Sequence, residues 1–287
     1  MVMNKWPNFF LAGAPRAGTT SLYEYLKDID GIFMSPIKEP NYFSVSISDK
    51  ILLQRPFRKQ NEYLKLFKDA TNEKAIGEGS HSYFWDPQSP KLIQQTIPNA
   101  KIILLLRDPV ERAFSHYLFT VSVGQETKTF SEAIKKALNA KPDFSGAIIE
   151  AGLYGQQLTR YLKYFKNEKI KIIFSEDFIK NTESIMKEIL EFLEVDIPET
   201  LSFTKIHHEY SVTGNKFIAA SMRNRMIRHV AKNLLPRESA RKIKESFDKK
   251  AIKPQLNEND RKFLQEYYHD DILILKNLLN RKPPWEY

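Results

Sequence analysis

A strand that ends in glycine and runs straight into a helix leaves a chain few folds to choose from. "NFFLAG", residues 8–13, is apolar up to its last residue, and "TTSLYEYLKDI" follows after a short turn with Leu22, Tyr25, Leu26 and Ile29 at helical spacing. The pattern predicts strand, tight loop, helix. In such a unit the loop amides and the first helix amides point at one spot, and the helix dipole adds partial positive charge there. An anion is favoured at that spot. Gly13 and Gly18 have the separation of a phosphate-binding loop of the form G-x-x-x-x-G-K-[ST], but the lysine of that pattern is absent. Thr19 stands in its place, Thr20 and Ser21 follow, and the nearest cation is Arg16, inside the loop. Gly18 allows close backbone approach, while Ala17 to Ser21 offer amides and hydroxyls. A plain turn would need one glycine and not this run of hydroxyls.

Two further units repeat the alternation. "KIILLL", 101–106, is continuously apolar as buried parallel strands are, and "RDPVERAFSHYLFTVS" turns into a helix through Asp108 and Pro109. "KIKIIFSEDF", 169–178, runs into "TESIMKEILEFLEV", with Ile185, Ile189, Phe192 and Leu193 as an apolar stripe. Strands alternating with helices predict an α/β, P-loop-like three-layer fold, a central parallel sheet flanked by helices. After about residue 200 the strand signals stop, and "RKFLQEYYHDDILILKNLL", 261–279, predicts a long amphipathic helix in a helical C-terminal part. No repeat or linker divides the chain, so residues 1–287 are expected to form a single domain.

Ligands of open α/β sheets bind at the carboxyl ends of the strands, so Arg107, at the end of "KIILLL", should emerge on the same edge as the 13–20 loop, with Ser115 one helix later. Two anion sites on one edge suit a ligand with two separated anionic groups. Arg107 could instead pair with Asp108 or Glu111. The net charge of +9 also favours anionic ligands. Much of the excess lies at 223–250, read as the solvated face of amphipathic helices or, alternatively, as a docking surface for an acidic acceptor. No apolar run is long enough to span a bilayer and no signal peptide is evident, and the chain has no cysteine. These features are read as a cytoplasmic protein without stable membrane insertion, a disulfide framework or a metal site.

"FFLAGAPRAGTTSLYEYL" together with "KIILLLRDPVERAFSHY" resembles the sulfotransferases that use 3'-phosphoadenosine 5'-phosphosulfate (PAPS), in particular bacterial and heparan-sulfate-type carbohydrate members. The resemblance implies that Arg16, Ala17, Gly18, Thr19, Thr20 and Ser21 bind the 5'-phosphosulfate and that Arg107 and Ser115 bind the 3'-phosphate. It explains the missing lysine, since the donor has no triphosphate and its transfer needs no magnesium. "GLYGQQLTRYLKYF" and the terminal "PPWEY" extend the likeness over nearly the whole chain. The implied acceptor is a small molecule or glycan, not a nucleic acid.

Several residues depart from the family pattern. Arg16 replaces the usual loop lysine, and "GEGSHSYF" keeps Glu78 and Ser80 of an E-K-T-P segment while Gly79 replaces its lysine and His81 its proline. Ser175 stands where cytosolic members have a tyrosine near the adenine. Glu39 in "IKEPNYF" maps onto the general base of carbohydrate-type members, whereas His81 falls where cytosolic members place a histidine base. A carboxylate base would need its pKa raised by burial or by a neighbour such as Glu78, whereas histidine titrates near neutrality unaided. Glu39 is taken as the base, with His81 in the same site and Arg16 as the catalytic cation. Tyr42, Phe43, Tyr83, Phe84 and Trp85 flank both and read either as acceptor walls or as core, while His207 and His208 read as structural. The rival functions are a kinase using ATP and magnesium and a non-catalytic polyanion-binding protein.

Overall fold

The computed structural model describes residues 5–49, 52, 54–122, 125–139, 146–199, 201, 203, 211–213, 248–250 and 254–285. Its centre is a five-stranded parallel sheet built from β1 (Phe9–Gly13), β2 (Ile32–Met34), β3 (Ala75–Gly79), β4 (Lys101–Leu106) and β5 (Ile170–Phe174) in the order β2-β3-β1-β4-β5. From β1 the chain fills one side with β2 and β3, then crosses to the other for β4 and β5. The carboxyl end of β1 is therefore the point where the winding reverses, the place such sheets leave open for a ligand. β1 is buried along its whole length and β4 from Ile102 to Leu106, which explains their unbroken apolar runs.

The flanking helices are α1 (Thr19–Lys27), α2 (Gln60–Leu64), α3 (Ser82–Trp85), α4 (Ser89–Thr96), α5 (Pro109–Ser122), α6 (Phe130–Asn139), α7 (Gly146–Glu150), α8 (Tyr154–Leu162), α9 (Ser175–Lys180) and α10 (Thr182–Leu193). Each amphipathic stripe is packed inward: Leu22, Tyr25 and Leu26 of α1 are buried, as are Ile189 and Leu193 of α10, with Ile185 and Phe192 half-buried. α5 starts as its sequence predicts. Asp108 accepts from the amides of Val110 (2.8 Å) and Glu111 (3.1 Å), and Pro109 occupies the first helical position.

The C-terminal helix Glu258–Leu279 begins at Asn257, whose side chain accepts from the Asp260 amide at 2.8 Å. It returns onto the sheet domain by lying against α8. There the buried Asp271 accepts from the amides of Gly155 (2.7 Å) and Gln156 (2.9 Å), supplying the cap that α8 lacks locally. A side chain at Gly155 would meet the Asp271 backbone oxygen at 2.3 Å, so the close approach of the two helices requires glycine.

One expectation is corrected. Strand structure does not stop at residue 200, because β6 (Ser211–Thr213) and β7 (Asp248–Lys250) pair antiparallel. Three residues are too few to carry a readable alternation. The sequence also shows no clear signal for β2 or β3, the latter reading "AIGEG" with two glycines and a charge. Apart from 248–250, the basic stretch 223–250 lies outside the described residues, as do His207 and His208.

Candidate active site

The loop after β1 forms the first half of the site. Gly18, at φ 99°, is the residue before α1 and sits in the left-handed region that glycine favours. It carries no side-chain cap, so the opening amides of α1 at Thr19, Thr20 and Ser21 have no local side-chain acceptor. Gly13 is needed for another reason, since a Cβ there would lie 2.5 Å from Cβ of Phe84 in α3. The loop is tied down from β4 and from the start of α9: the Ala14 amide donates to Leu105 O at 2.7 Å, and Ser175 Oγ donates to Ala17 O. Ser175, which replaces the tyrosine of cytosolic members, is buried beneath the loop as a support for it.

Arg16 is held at φ 67°, a left-handed conformation uncommon for a residue with a long side chain. Its Nε lies 3.3 Å from Ser115 Oγ, and its guanidinium sits 4.9 Å above the Phe119 ring. Arg107 reaches back to Arg16 O at 3.5 Å, and its contact with Glu111 is long, 3.8 Å, because Glu111 pairs with Arg261 at 2.7 Å. The pairing with Glu111 is thus present but is the weaker of the two that carboxylate makes, and Arg16, touching both Ser115 and Arg107, draws the three into one cluster. Desolvation in the crowded cleft, then the charges of Arg107 and Arg112, push the Arg16 pKa down to about 10. The group stays protonated at neutral pH, and a bound anion would relieve the mutual repulsion.

Glu39 and His81 come together on the β3 side. Glu39 follows β2 at φ 63°, its amide donating to Gly79 O at 2.8 Å, and Asn41 is left-handed too, at φ 53°. The Glu39 carboxylate takes Lys38 Nζ at 2.7 Å and the His81 amide at 3.2 Å, with His81 Nε2 at 3.6 Å. Burial lowers the His81 pKa, the Glu39 charge opposes that shift, and Lys38 and Arg16 add to it. The ring is therefore neutral at physiological pH. Its Nδ1 is buried without a hydrogen-bond partner among the described residues. Beside this pair Glu78 is fully buried, and burial pushes its pKa up to about 7. No group of three or more His, Cys, Asp or Glu side chains capable of holding a metal ion occurs among the described residues.

Comparison with known proteins decides what this edge belongs to: the sulfotransferase domain model matches residues 7–278. The chain belongs to the sulfotransferase family. It is similar to mouse carbohydrate sulfotransferase 15, 29% identical over 245 residues that cover 66% of this chain and 44% of that protein. It is also similar to mouse bifunctional heparan sulfate N-deacetylase/N-sulfotransferase 4, at 26% identity over 96% of this chain and 30% of that one. The chain thus spans less than half the length of these curated relatives. Among solved structures, a sulfotransferase from Alicyclobacillus acidocaldarius superposes with a TM-score of 0.72 at 25% identity, covering 97% of this chain and 98% of that one.

Several residues around the candidate site escaped the sequence reading. Arg112 is completely buried on the α5 face that carries Ser115, with its guanidinium against His116 Nδ1 (3.3 Å) and the Ile148 carbonyl. It lies three residues before Ser115, a helical spacing that could have found it. Lys38, readable as half of a surface pair, is half-buried beside Glu39. Tyr63 reaches Glu78 from α2, and nothing local signals that. Of the five aromatics flanking the bases, Phe43, Tyr83 and Phe84 are core. Tyr42 stacks on Tyr63 at 4.3 Å, and Trp85 packs on Ile47 and Leu52.

Proposed function

We propose that the protein transfers a sulfuryl group from PAPS to a hydroxyl or amine of a carbohydrate acceptor. The observation that carries this reading is the meeting, at the winding reversal of the sheet, of two unlike halves: a cationic, amide-rich cradle and a carboxylate–histidine pair. PAPS supplies an activated sulfuryl group on a phosphate leaving group. The α1 amides at Thr19, Thr20 and Ser21 with Arg16 suit its 5'-phosphosulfate, and Arg107 with Ser115 suits its 3'-phosphate. Fixed donors of this kind stabilise charge as it develops on the sulfuryl and bridging oxygens.

Glu39 accepts the acceptor proton as the new sulfur–oxygen or sulfur–nitrogen bond forms. The bond from sulfur to the bridging oxygen breaks, and that oxygen keeps the electron pair on adenosine 3',5'-bisphosphate. Lys38 and the His81 amide orient the carboxylate, and the neutral His81 ring stands beside it as a second proton acceptor. The names of the relatives, a carbohydrate sulfotransferase and a heparan sulfate N-sulfotransferase, support a glycan acceptor. The lack of cysteine supports work in a reducing, cytoplasmic compartment, which cell fractionation would check.

Calorimetric titration with adenosine 3',5'-bisphosphate, beside ATP with magnesium, tests the donor site. Tight binding of the bisphosphate alone is expected. Preference for ATP with magnesium would favour a kinase. Transfer from labelled PAPS to a panel of amino sugars, glycosaminoglycan chains and aryl alcohols then tests the acceptor, and labelling confined to the aryl alcohols would overturn the glycan part.

A further inference from the structure

We propose that Glu78 is the positioning residue that holds Glu39 in place by ordering the hydroxyls beneath the left-handed turn at Glu39 and Asn41. This inference rests on the reading of Glu39 as base and extends it. Glu78 lies on β3, opposite Phe10, with no exposed surface. Its carboxylate accepts from Tyr83 OH (2.5 Å) and Tyr63 OH (3.0 Å) on one oxygen and from Ser80 Oγ (2.7 Å) on the other. Because each hydroxyl spends its hydrogen on Glu78, its lone pairs face outward. Ser80 Oγ accepts from the Asn41 amide at 3.0 Å and Tyr83 OH from the Phe43 amide at 3.4 Å. Asn41 in turn donates its side-chain amide to Glu39 O at 2.7 Å and accepts from Ser82 Oγ at 2.6 Å.

A residue held at positive φ costs free energy and persists only where its surroundings over-determine it. Here two such residues, Glu39 and Asn41, lie in one three-residue stretch, and the hydroxyls bonded to Glu78 supply the acceptors that fix it. An apolar side chain at 78 would leave Tyr63, Tyr83 and Ser80 to turn their hydrogens elsewhere and compete with the Asn41 and Phe43 amides. The groups facing Glu78 are Glu39 from the turn, Tyr63 from α2, Tyr83 from α3 and, through its electrostatic effect, Tyr161 from α8. Burial raises the Glu78 pKa to about 7, the three hydroxyl bonds oppose this, and the Glu39 charge adds to it. The network can therefore change its hydrogen directions near neutral pH, because a protonated Glu78 must itself donate.

The test uses the full chain, amide hydrogen exchange and 13C spectra of its glutamate carboxyls. In Ser80→Ala the Asn41 amide, and in Glu78→Leu both the Asn41 and Phe43 amides, should exchange about tenfold faster, the loss expected of one hydrogen bond. Amides of β1 and β4 should keep their protection, and affinity for adenosine 3',5'-bisphosphate should hold within about twofold. Glu78→Gln keeps an acceptor oxygen but cannot ionise. It should restore most of the protection and abolish the inflection near pH 7 that Glu78 imposes on the Glu39 resonance. If Glu78→Leu does not fold, Ser80→Ala and Glu78→Gln carry the test. Unchanged exchange at Asn41 in Ser80→Ala, or a Glu39 resonance indifferent to Glu78→Gln, overturns the proposal. Failure of the unaltered protein to bind the bisphosphate would instead sink the donor-site reading and leave the exchange result standing.

Discussion

The two halves of the candidate active site are built on opposite plans. The donor cradle is made of contiguous pieces: one loop between β1 and α1, and one helix entry after β4, each a local strand-to-helix junction whose amides and arginines point the same way because the sheet is parallel. The base side has no such unit. Glu39 follows β2, Glu78 and His81 end β3, and Tyr63 arrives from α2, so this half exists only once separate elements have packed. The cradle should accordingly tolerate change elsewhere and fail one interaction at a time. The base side should fail as a network.

The sharpest break between the halves would come from Glu39→Gln. A general base contributes ~10²- to 10⁴-fold in rate, and losing it should lower kcat by about that range while leaving bisphosphate affinity unchanged. If Glu39→Gln retained full turnover and His81→Ala lost it, the base role would pass to His81. Glu78 gives the next effect, and its sign is fixed. Its folded pKa, raised from 4.5 to about 7, lies above the unfolded value, so the folded state holds more protons between the two. Stability from this group is fully present below the unfolded pKa and is lost as pH rises through about 7, a swing of roughly 3 kcal/mol at ~1.4 kcal/mol per unit. Thermal melts of Glu78→Gln should lack that component.

On the cradle side, Arg107→Ala should weaken adenosine 3',5'-bisphosphate binding by ~10- to 100-fold, as expected for charge-assisted bonds worth ~1.5–3 kcal/mol. Calorimetry that found unaltered affinity would remove Arg107 from the 3'-phosphate. The smallest effect is expected of Gly18→Ala. A Cβ there meets only Leu105 at 3.5 Å, an ordinary contact, so the cost is the left-handed backbone, about 1 kcal/mol in a thermal melt. A much larger loss would mean that the cradle, too, depends on a wider network.

That division also marks what could be read from the chain unfolded. Gly13, Gly18, Arg16, Arg107 and Ser115 were legible because a strand, a turn and a helix in immediate succession place their residues without help from elsewhere. The cap at Asp108 and the long C-terminal helix were legible for the same reason. Glu39 and His81 were found through resemblance to a family, not through spacing, since 42 positions separate them. Neither β3, with its glycines and buried glutamate, nor the short pair β6 and β7 carries the periodicity that marks a strand. Aromatics beside the bases could be placed on either side of the wall only by packing, which put Phe43, Tyr83 and Phe84 in the core.

By itself the sequence determined a parallel α/β sheet with a tight strand-to-helix loop at the end of its first strand, because short-range backbone geometry and hydrophobic periodicity act within a dozen residues. Only the tertiary structure decided which groups enclose each of the two buried carboxylates. Desolvation and hydrogen-bond geometry depend on what lies around a group in space: Glu78 is enclosed by Tyr63, Tyr83 and Ser80, and its pKa is raised, whereas Glu39, beyond the end of the neighbouring strand, is held by Lys38 and His81.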